Sequence, residues 1–233
     1  MGFFYLDNKE VNKSAQKGFT SLLLIGGVVV LGVVVFLVAS GSFKFSGYIK
    51  SDSDKSQQDQ SDSQTAQPTS QPTSPSKPEV KFNPEPFTDS KLGFSISYPE
   101  GWKVNSAETN VTIYKPSDTK GSDKADALIT IFSGSLGELN DTKLATIADL
   151  HKVQLKKQFS DLEFIKEGEI KIGDQDAYEM EFEGIMGGEK MHGRYIVLTS
   201  STNLYAILGG ANAGMWNDLK DIIDTSIQTF KKQ

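Results

Sequence analysis

The sequence has no cysteine, two histidines and a single arginine among its 233 residues. The absence of cysteine excludes disulfide frameworks, thiolate metal sites, cysteine nucleophiles and a lipid-modified N-terminal cysteine. His151 and His192 are too few for a three-histidine zinc site, and they leave only two candidate bases for a Ser-His-Asp triad. Arg194 is the only arginine and the formal net charge is -6, so no nucleic-acid partner is predicted.

The common catalytic motifs are missing as well. In the run 133–137 a serine stands where the first glycine of a G-x-S-x-G elbow belongs, and Asp174 stands where a phosphate-binding loop needs lysine. There is no H-E-x-x-H, and no G-x-G-x-x-G follows a predicted strand. We therefore predict a protein that is not an enzyme.

One long apolar run lies near the N-terminus. No charged residue occurs from Gly18 to Phe43, and the part from Leu22 to Ala39 is apolar throughout, about 27 Å long as a helix. The segment has no polar face, so a membrane is the simplest surrounding for it. We predict a cytoplasmic segment at 1–20 and a transmembrane helix at 21–43, because more lysines precede the span than follow it. The protein would then be a single-pass protein of the cell membrane, with its C-terminal domain extracytoplasmic.

Two other interpretations of this run stay open. Ala39-Ser40-Gly41 offers small residues for signal-peptide cleavage, although the apolar region is longer than usual for a signal peptide. Lys17-Gly18-Phe19-Thr20 resembles the processing site of type IV pilins, which would make the protein a pilin-like envelope component. Leu23 stands where that family has a glutamate.

Polar residues dominate the segment that follows. Residues 51–86 consist mainly of Ser, Gln, Asp, Thr and Pro, with almost nothing apolar to bury. We predict a disordered linker over 44–86. As a flexible coil it would span roughly 30–35 Å and hold a globular domain near the membrane.

The pattern of a folded domain begins at Phe87. Alternating apolar and polar residues from Phe94 to Tyr98, then a turn at Pro99-Glu100-Gly101, predict a β-turn-β unit. The same alternation predicts further strands at 110–115, 126–132, 164–172, 175–183, 190–199 and 203–209. Apolar stripes with helical spacing predict two helices, at 142–159 with Asp141-Thr142 as cap candidates and at 213–230. Both helices should lie flat on the sheet, and His151 should be a partly buried histidine that bonds a neighbour.

The hairpin at 175–199 carries charges on alternate positions. If Gly184–Glu189 forms the loop, then three pairs stand opposite each other: Glu183 with Lys190, Glu181 with His192, and Glu179 with Arg194. One interpretation is a solvated cross-strand charge ladder that fixes the register. The other is a face for docking a partner or holding a cation, formed by Glu179, Glu181, Glu183, His192 and Arg194.

The run Gly93–Val104, with Tyr98-Pro99-Glu100-Gly101-Trp102 at its centre, resembles the opening strand-turn-strand of PsbP-like domains. The late hairpin, the strand at 203–208 and the terminal helix with Trp216 and Phe230 extend the resemblance over 87–233. It implies an α+β fold, an α/β/α sandwich with a central antiparallel sheet, shared with bacterial DcrB-like and LpqN-like surface proteins and a eukaryotic Ran-binding protein. Its relatives are mostly non-catalytic binding or assembly modules, and the photosynthetic member is an extrinsic photosystem II subunit that supports calcium and chloride retention.

These observations together predict a membrane-anchored extracytoplasmic module that binds a protein partner or a small ligand. The membrane itself is a partner through residues 21–43. No cofactor is predicted from the residues, and calcium is a candidate only through the family resemblance, since no metal-ligand motif of that family matches here. The alternative function is a calcium- or manganese-dependent assembly factor of a membrane complex.

Overall fold

The computed structural model describes residues 44–45, 80–118 and 124–233. The predicted span at 21–43 and most of the predicted linker lie outside them. Among the residues that the structure describes, no helix is both long and apolar enough to span a bilayer.

The chain forms eleven strands and two helices in these residues. The strands are β1 (Lys44–Phe45), β2 (Phe87–Asp89), β3 (Phe94–Ile96), β4 (Lys103–Ser106), β5 (Asn110–Pro116), β6 (Lys124–Ser135), β7 (Ser160–Ile172), β8 (Gln175–Met186), β9 (Glu189–Thr199), β10 (Asn203–Asn212) and β11 (Lys231–Lys232). The helices are α1 (Leu144–Gln158) and α2 (Trp216–Gln228), and a short 3-10 turn at Gly137–Leu139 precedes α1.

The main sheet has the strand order β4-β5-β6-β10-β9-β8-β7, and every neighbouring pair in it is antiparallel. The two-residue β1 adds to it by pairing parallel with β6. A second sheet of three short strands has the order β11-β3-β2.

One helix covers each face of the main sheet. Ala206 and Leu208 of β10 pack in one apolar cluster with Ile147 of α1, whereas Ile207 packs in the other with Ile223 of α2. Alternate residues of a strand point to opposite faces, so the sheet is the middle layer of three. The second sheet lies on the α2 side, where the rings of Phe94 and Phe230 stack with centroids 5.6 Å apart. The predicted α+β architecture with a central antiparallel sheet is therefore confirmed.

The two ends of the main sheet differ in what meets there. The end that holds the starts of β6, β7 and β9 and the ends of β5, β8 and β10 is called the entry end. The opposite end, at the Gly173–Asp174 turn between β7 and β8, is called the far end.

Most predicted elements are present, with changed ends. The strand predicted at 164–172 starts at Ser160, and the strand predicted at 126–132 extends over Lys124–Ser135. The prediction of Asp141-Thr142 as a helix cap is wrong, because α1 begins after Lys143 and no side chain caps it. Strands β1, β2 and β11 have only two or three residues each, too few for a periodic pattern.

Contacts with the domain extend to the N-terminal side of Phe87. The Asn83 backbone N–H donates to the carbonyl of Tyr98 at 3.0 Å, and the Glu100 N–H donates to the carbonyl of Lys81 at 2.9 Å. The Asn83 side-chain amide donates to the carbonyls of both Tyr98 and Pro99 at 3.1 Å. Residues 81–83 therefore join the turn at 98–100, at the entry end.

Candidate functional site

The charged face is the surface of β8 and β9 on the α2 side, formed by six residues: Glu179, Glu181, Glu183, Lys190, His192 and Arg194. All of them lie on one face because odd positions of β8 and even positions of β9 point the same way. The alternation of charged and apolar residues in the sequence therefore predicts correctly that these side chains share one face.

The predicted register of this hairpin is wrong. Glu183 lies opposite His192 and Glu181 opposite Arg194, because the connection is a tight turn at Gly187–Gly188 rather than a loop over Gly184–Glu189. Both turn glycines have positive φ, 62° and 87°, which two-residue hairpin turns of this kind require. The difference from the prediction is two residues, so every side chain stays on its predicted face.

The predicted ion pairs nonetheless form, along the diagonals of the ladder. Lys190 Nζ lies 2.6 Å from Glu183 Oε2, and His192 Nε2 lies 2.8 Å from Glu181 Oε1. The Arg194 guanidinium contacts Glu179. Long side chains reach a diagonal neighbour across a strand pair easily, which explains how the contacts survive the change of register.

His192 lies between two carboxylates and against an aromatic ring. Its second ring nitrogen, Nδ1, is 3.2 Å from Glu183 Oε1, so both ring nitrogens face carboxylate oxygens. Only the imidazolium form can donate to both at once. The Trp216 ring stacks on the imidazole with centroids 4.5 Å apart and an interplanar angle of 14°. The first residue of α2 thereby covers this histidine.

The inner part of the charged face is buried under α2, unlike a solvated ladder. The Glu179 side chain is only 2% exposed, and Arg194 joins it to Asp224 on α2. Although burial opposes it, the hydrogen bond to Asp224 and the charges of Asp224 and Glu179 raise the pKa of Arg194. The Glu179–Arg194–Asp224 contact therefore links β8, β9 and α2.

The outer part of the charged face stays open to solvent. The side chains of Lys190 and Glu183 are 62% and 34% exposed. A hydrogen bond from Lys190 lowers the pKa of Glu183; burial acts against this shift, and the charges of Lys190 and His192 add to it. The exposed Lys166 on β7 and the half-buried Lys220 on α2 flank the face with further ammonium groups. We call Lys166, Glu183, Lys190 and Lys220 the rim.

Sequence reasoning missed the contribution of α2 to this site. Asp224 lies outside the apolar stripe of its helix, which is typical of a solvated residue, yet it binds both Arg194 and Lys220. Trp216 lies on the apolar stripe of α2, a pattern that by itself indicates a core residue. Its contact with His192 depends on where the helix crosses the sheet, and no local sequence pattern predicts that position.

Each carboxylate of the charged face lies against a basic side chain: Glu179 against Arg194, Glu181 against His192 and Glu183 against Lys190. Across residues 80–118 and 124–233, no group of three His, Asp or Glu side chains is arranged to hold a metal ion.

The other histidine lies on the opposite side of the sheet. The Nδ1 of His151 lies 2.7 Å from the Tyr195 hydroxyl, so the predicted bonded neighbour is confirmed, and at 2% exposed the side chain is more deeply buried than the predicted partly buried histidine. Burial lowers the pKa of His151 to about 4 and raises that of Tyr195, so both groups are neutral near pH 7. In the tautomer whose Nδ1 carries no proton, the neutral imidazole accepts a hydrogen bond from the Tyr195 hydroxyl.

A cavity of about 300 Å³ opens at the far end, where the β7–β8 turn meets the last turn of α2. Gln175, Gln228 and Lys231 are among its lining residues. The Gln175 amide donates to the carbonyl of Phe230 at 3.3 Å, and its Oε1 is buried with no hydrogen-bond partner. This cavity is separate from the charged face.

The family profile described as PsbP-like protein matches residues 27–231 of the chain. No curated protein sequence matches the chain significantly.

Several solved structures resemble the domain. The solution structure of cyanobacterial PsbP (CyanoP) from Synechocystis sp. PCC 6803 aligns with a TM-score of 0.50 at 16% identity, covering 69% of this chain and 98% of CyanoP. Mog1p, a Ran-binding protein of Saccharomyces cerevisiae, aligns at 0.49 and 6% identity, covering 66% and 96% of the two chains. LpqN, involved in cell envelope biogenesis of Mycobacterium tuberculosis, aligns at 0.45 and 11% identity, covering 63% and 88%. The likeness to CyanoP supports the fold alone.

Proposed function

This chain belongs to the PsbP-like protein family, and from that premise we propose that it is a non-catalytic binding or assembly module for a protein partner. In this proposal residues 21–43 anchor the chain in the cell membrane, and the domain lies outside the cytoplasm. The apolar run and the lysines before it support the anchor and its orientation.

The environment of the histidines supports a non-catalytic role. His151 is buried in the core against Tyr195, and His192 is bound by two carboxylates and covered by Trp216. A general base needs a free nitrogen within reach of a substrate proton. Both imidazoles are instead used within the fold.

The contrast between the two parts of the charged face carries the proposal. The buried Glu179 and the partly buried Arg194 fix α2 to the sheet, whereas beside them the rim residue Glu183 is half-buried and Lys190 is exposed. The rim is thus a set of charges of both signs on a rigid support. A partner that carries complementary charges would be recognised specifically by this surface. Because the support is already ordered, binding would cost little conformational entropy.

The partner proposal is tested by site-specific photocrosslinking in intact cells. A photoreactive residue at position 190, on the rim, should give a discrete crosslinked product. The matched control is position 153 on α1, because Val153 is also exposed, at 50%, and lies on the opposite side of the sheet. Lys220→Glu should reduce the product from position 190 several-fold. Equal products from both positions would contradict a role for the rim.

The anchor is tested by fractionation. Full-length protein should remain with membranes after alkaline carbonate extraction, and external protease should degrade its domain in intact spheroplasts. Recovery in the soluble fraction would overturn the anchor. Mass spectrometry of the N-terminus separates a retained span from signal-peptide or pilin-type cleavage.

The cation-dependent alternative has its own measurement. Calorimetry with calcium and with manganese should give no binding heat if the carboxylates of the charged face stay with their basic partners. Binding that is lost in Glu181→Gln would support the alternative instead.

A further inference from the structure

Strand β7 forms one edge of the main sheet. Among the residues that the structure describes it pairs with β8 only, so one side of its 13-residue backbone is open. The strand at the opposite edge, β4, has only four residues. An open edge offers backbone N–H and C=O groups to another extended chain. Strand β7 is therefore the long edge at which a further strand can add.

Only part of this edge is regular. Ile165 has no partner on β8, because a bulge interrupts the pairing between Phe164 and Lys166, and its side chain is 51% exposed. A bulge bends the strand and ends regular pairing along the edge. The other end of the strand is closed by the turn at 173–174. Between the bulge and the turn lie residues 166–172, which we call the regular run.

The regular run has a fixed set of antiparallel registers with a second copy of itself. A two-fold axis perpendicular to the sheet keeps each face on its own side, so residues of the same face oppose each other. Glu169 lies beside Tyr178 on the α1 face, and Ile170 lies beside Ala177 on the α2 face. Three two-fold registers overlap by at least five residues of the run, with the axis at Gly168, Glu169 or Ile170.

Opposed charges distinguish these three registers. With the axis at Gly168, Glu167 of each copy faces Glu169 of the other, and with the axis at Glu169 that residue faces its own equivalent. With the axis at Ile170, Glu169 of each copy faces Lys171 of the other, and no like charges are opposed. Like charges directly opposite each other destabilise a strand pair, whereas opposite charges stabilise it. The charges therefore select the register centred on Ile170.

We propose that two copies of this chain associate through β7, in an antiparallel pair centred on Ile170 that joins the two main sheets into one. The inference goes beyond the proposed function, because it depends on neither the membrane anchor nor a partner at the rim. The same charges that oppose the other registers would make this one specific.

On the α1 face the pairing gives rows of alternating charge. Lys171 lies opposite Asp176 within its own copy, with Nζ 2.5 Å from Asp176 Oδ1. Their side chains are 62% and 79% exposed, so this ion pair is open on its outer side. Glu169 of the second copy would lie on that side, and Lys171 would stand between two carboxylates. The two-fold axis repeats the row.

On the α2 face the opposed residues fit by size. Ile170 is half-buried beside Ala177 of its own copy, and the axis brings the two Ile170 side chains together in an apolar row. Gly168 faces Ile172 of the second copy. A Cβ at Gly168 would have nothing within 4 Å, so there is room for that isoleucine. The regular run is thus complementary to itself on both faces.

The pairing leaves most of the rim uncovered. Glu183 pairs with Glu163 of β7, which lies on the other side of the bulge from the regular run. Lys190 lies beside Glu183, at the same end of the hairpin. Where the two surfaces meet, Lys166 lies level with Asp174 of the second copy, whose charge is opposite. A protein partner at Glu183 and Lys190 therefore does not compete with a second copy at β7.

Single cysteines test the pairing in the full-length protein in detergent solution, because the chain has no cysteine of its own. Ile170→Cys lies at the axis, where opposed Cα atoms are about 4.5–5.5 Å apart, and should form a disulfide-linked dimer on mild oxidation. The matched control is Ile165→Cys, which is more exposed but lies five residues from the axis, so its two copies would be about 30–35 Å apart. The dimer yield should be several-fold higher at 170 than at 165. Equal yields, or a higher yield at 165, would overturn the proposal.

A charge exchange tests the register by sedimentation velocity over a range of protein concentrations. Lys171→Glu and Glu169→Lys each place like charges opposite each other, so each should reduce the dimer fraction several-fold. The double variant carries both changes, restores opposite charges across the axis and should recover the dimer. Far-UV circular dichroism checks that all variants are folded.

Two results of this measurement would contradict the inference. One is a native protein that stays monomeric at every concentration, and the other is a double variant that dimerises no better than the single ones. Neither affects the photocrosslinked product from position 190, so failure of this inference is distinguishable from failure of the proposed function.

Discussion

His151 is a residue whose burial has a measurable consequence. It lies on the inward side of α1, and Gln154, one turn further along, is also buried, with its Oε1 lacking a hydrogen-bond partner. Polar side chains thus occupy part of the layer between α1 and the sheet. Such groups are stable in a core only while they remain neutral or hydrogen-bonded.

The pKa of His151 predicts acid sensitivity. Burial lowers this pKa from 6.5 to about 4, so below pH 6.5 the unfolded chain binds a proton that the folded chain does not. The contribution of the neutral His151 to the free energy of unfolding is complete above pH 6.5 and is lost as the pH falls toward 4. The loss is roughly 3 kcal/mol, at 1.36 kcal/mol per pKa unit. Urea unfolding across this range should show the slope.

The matched control for this prediction removes both members of the pair. His151→Phe with Tyr195→Phe leaves no unpaired polar atom of the pair in the core and should flatten the slope between pH 6.5 and 4. His192→Gln, which leaves His151 in place, should still show the fall in the free energy of unfolding that His151 causes over this pH range. An unchanged slope in the double variant would contradict the assignment.

Gly209 is a residue whose missing side chain matters. A Cβ at this position would lie 2.6 Å from Ile223 Cγ2 and 2.8 Å from Ile227 Cδ1, so α2 packs directly on the backbone of β10. Gly209→Ala should lower the free energy of unfolding by about 1–3 kcal/mol. The control is Gly210→Ala, whose Cβ would meet the flexible end of Met191 at 3.3 Å. If urea unfolding shows that both variants lose the same free energy of unfolding, α2 shifts to make room for the methyl group and does not pack rigidly on β10.

At the scale of elements, α2 is held to the sheet in two different ways. Its apolar stripe, with Leu219, Ile223 and Ile227, packs on β10 and β6. On its flank, Asp224 binds the partly buried Arg194, which in turn contacts the buried Glu179. The first contact supplies most of the hydrophobic burial, and the second fixes where the helix crosses the charged face.

Arg194 should be far more important for stability than the exposed basic residue of the same strand. Arg194→Met leaves the carboxylate of Glu179 buried with only Lys166 near it, at 3.7 Å, and should cost about 3–5 kcal/mol. Lys190→Met removes an exposed, solvent-screened ion pair, so it should change the free energy of unfolding far less than Arg194→Met does. Chemical unfolding of both variants measures the difference.

A compensating variant distinguishes the buried charge from a packing effect. Adding Glu179→Leu to Arg194→Met removes the unpaired carboxylate, so most of the lost stability should return. If the double variant is as unstable as the single one, the loss comes from the packing of the arginine side chain and not from charge.

At the scale of the whole molecule, the connection between the N-terminal chain and the domain is the distinctive feature. The sequence predicts a loose linker over 44–86, whereas the described residues near its two ends, 44–45 and 81–83, contact the same end of the sheet. The domain is thereby a unit whose contacts extend beyond the region of alternating polarity that starts at Phe87.

The contacts of residues 81–83 predict where a stable domain begins. A chain that starts at residue 80 keeps the hydrogen bonds of Lys81 and Asn83 to the turn at 98–100, and a chain that starts at residue 87 loses them. The shorter chain should be less stable by about 1–3 kcal/mol. In the longer chain Asn83→Ala should cause about half of that loss. Identical unfolding midpoints would place the boundary at Phe87.

The sequence by itself determined the elements and their faces. The alternation in β8 and β9 and the apolar stripe of α2 are local patterns, so the core-facing side of each element follows from covalent geometry. The same patterns placed Glu179, Glu181, Glu183, His192 and Arg194 on one surface.

The register of that hairpin has a local signal, the glycine pair Gly187–Gly188, which the predicted loop over Gly184–Glu189 overlooked. Only the tertiary structure decided the burial of Glu179, the partial burial of Arg194 and the partners Asp224 and Trp216. These features depend on where α2 crosses the sheet, which is set by packing between residues far apart in the chain, such as Gly209 against Ile223, and no stretch of neighbouring residues encodes it.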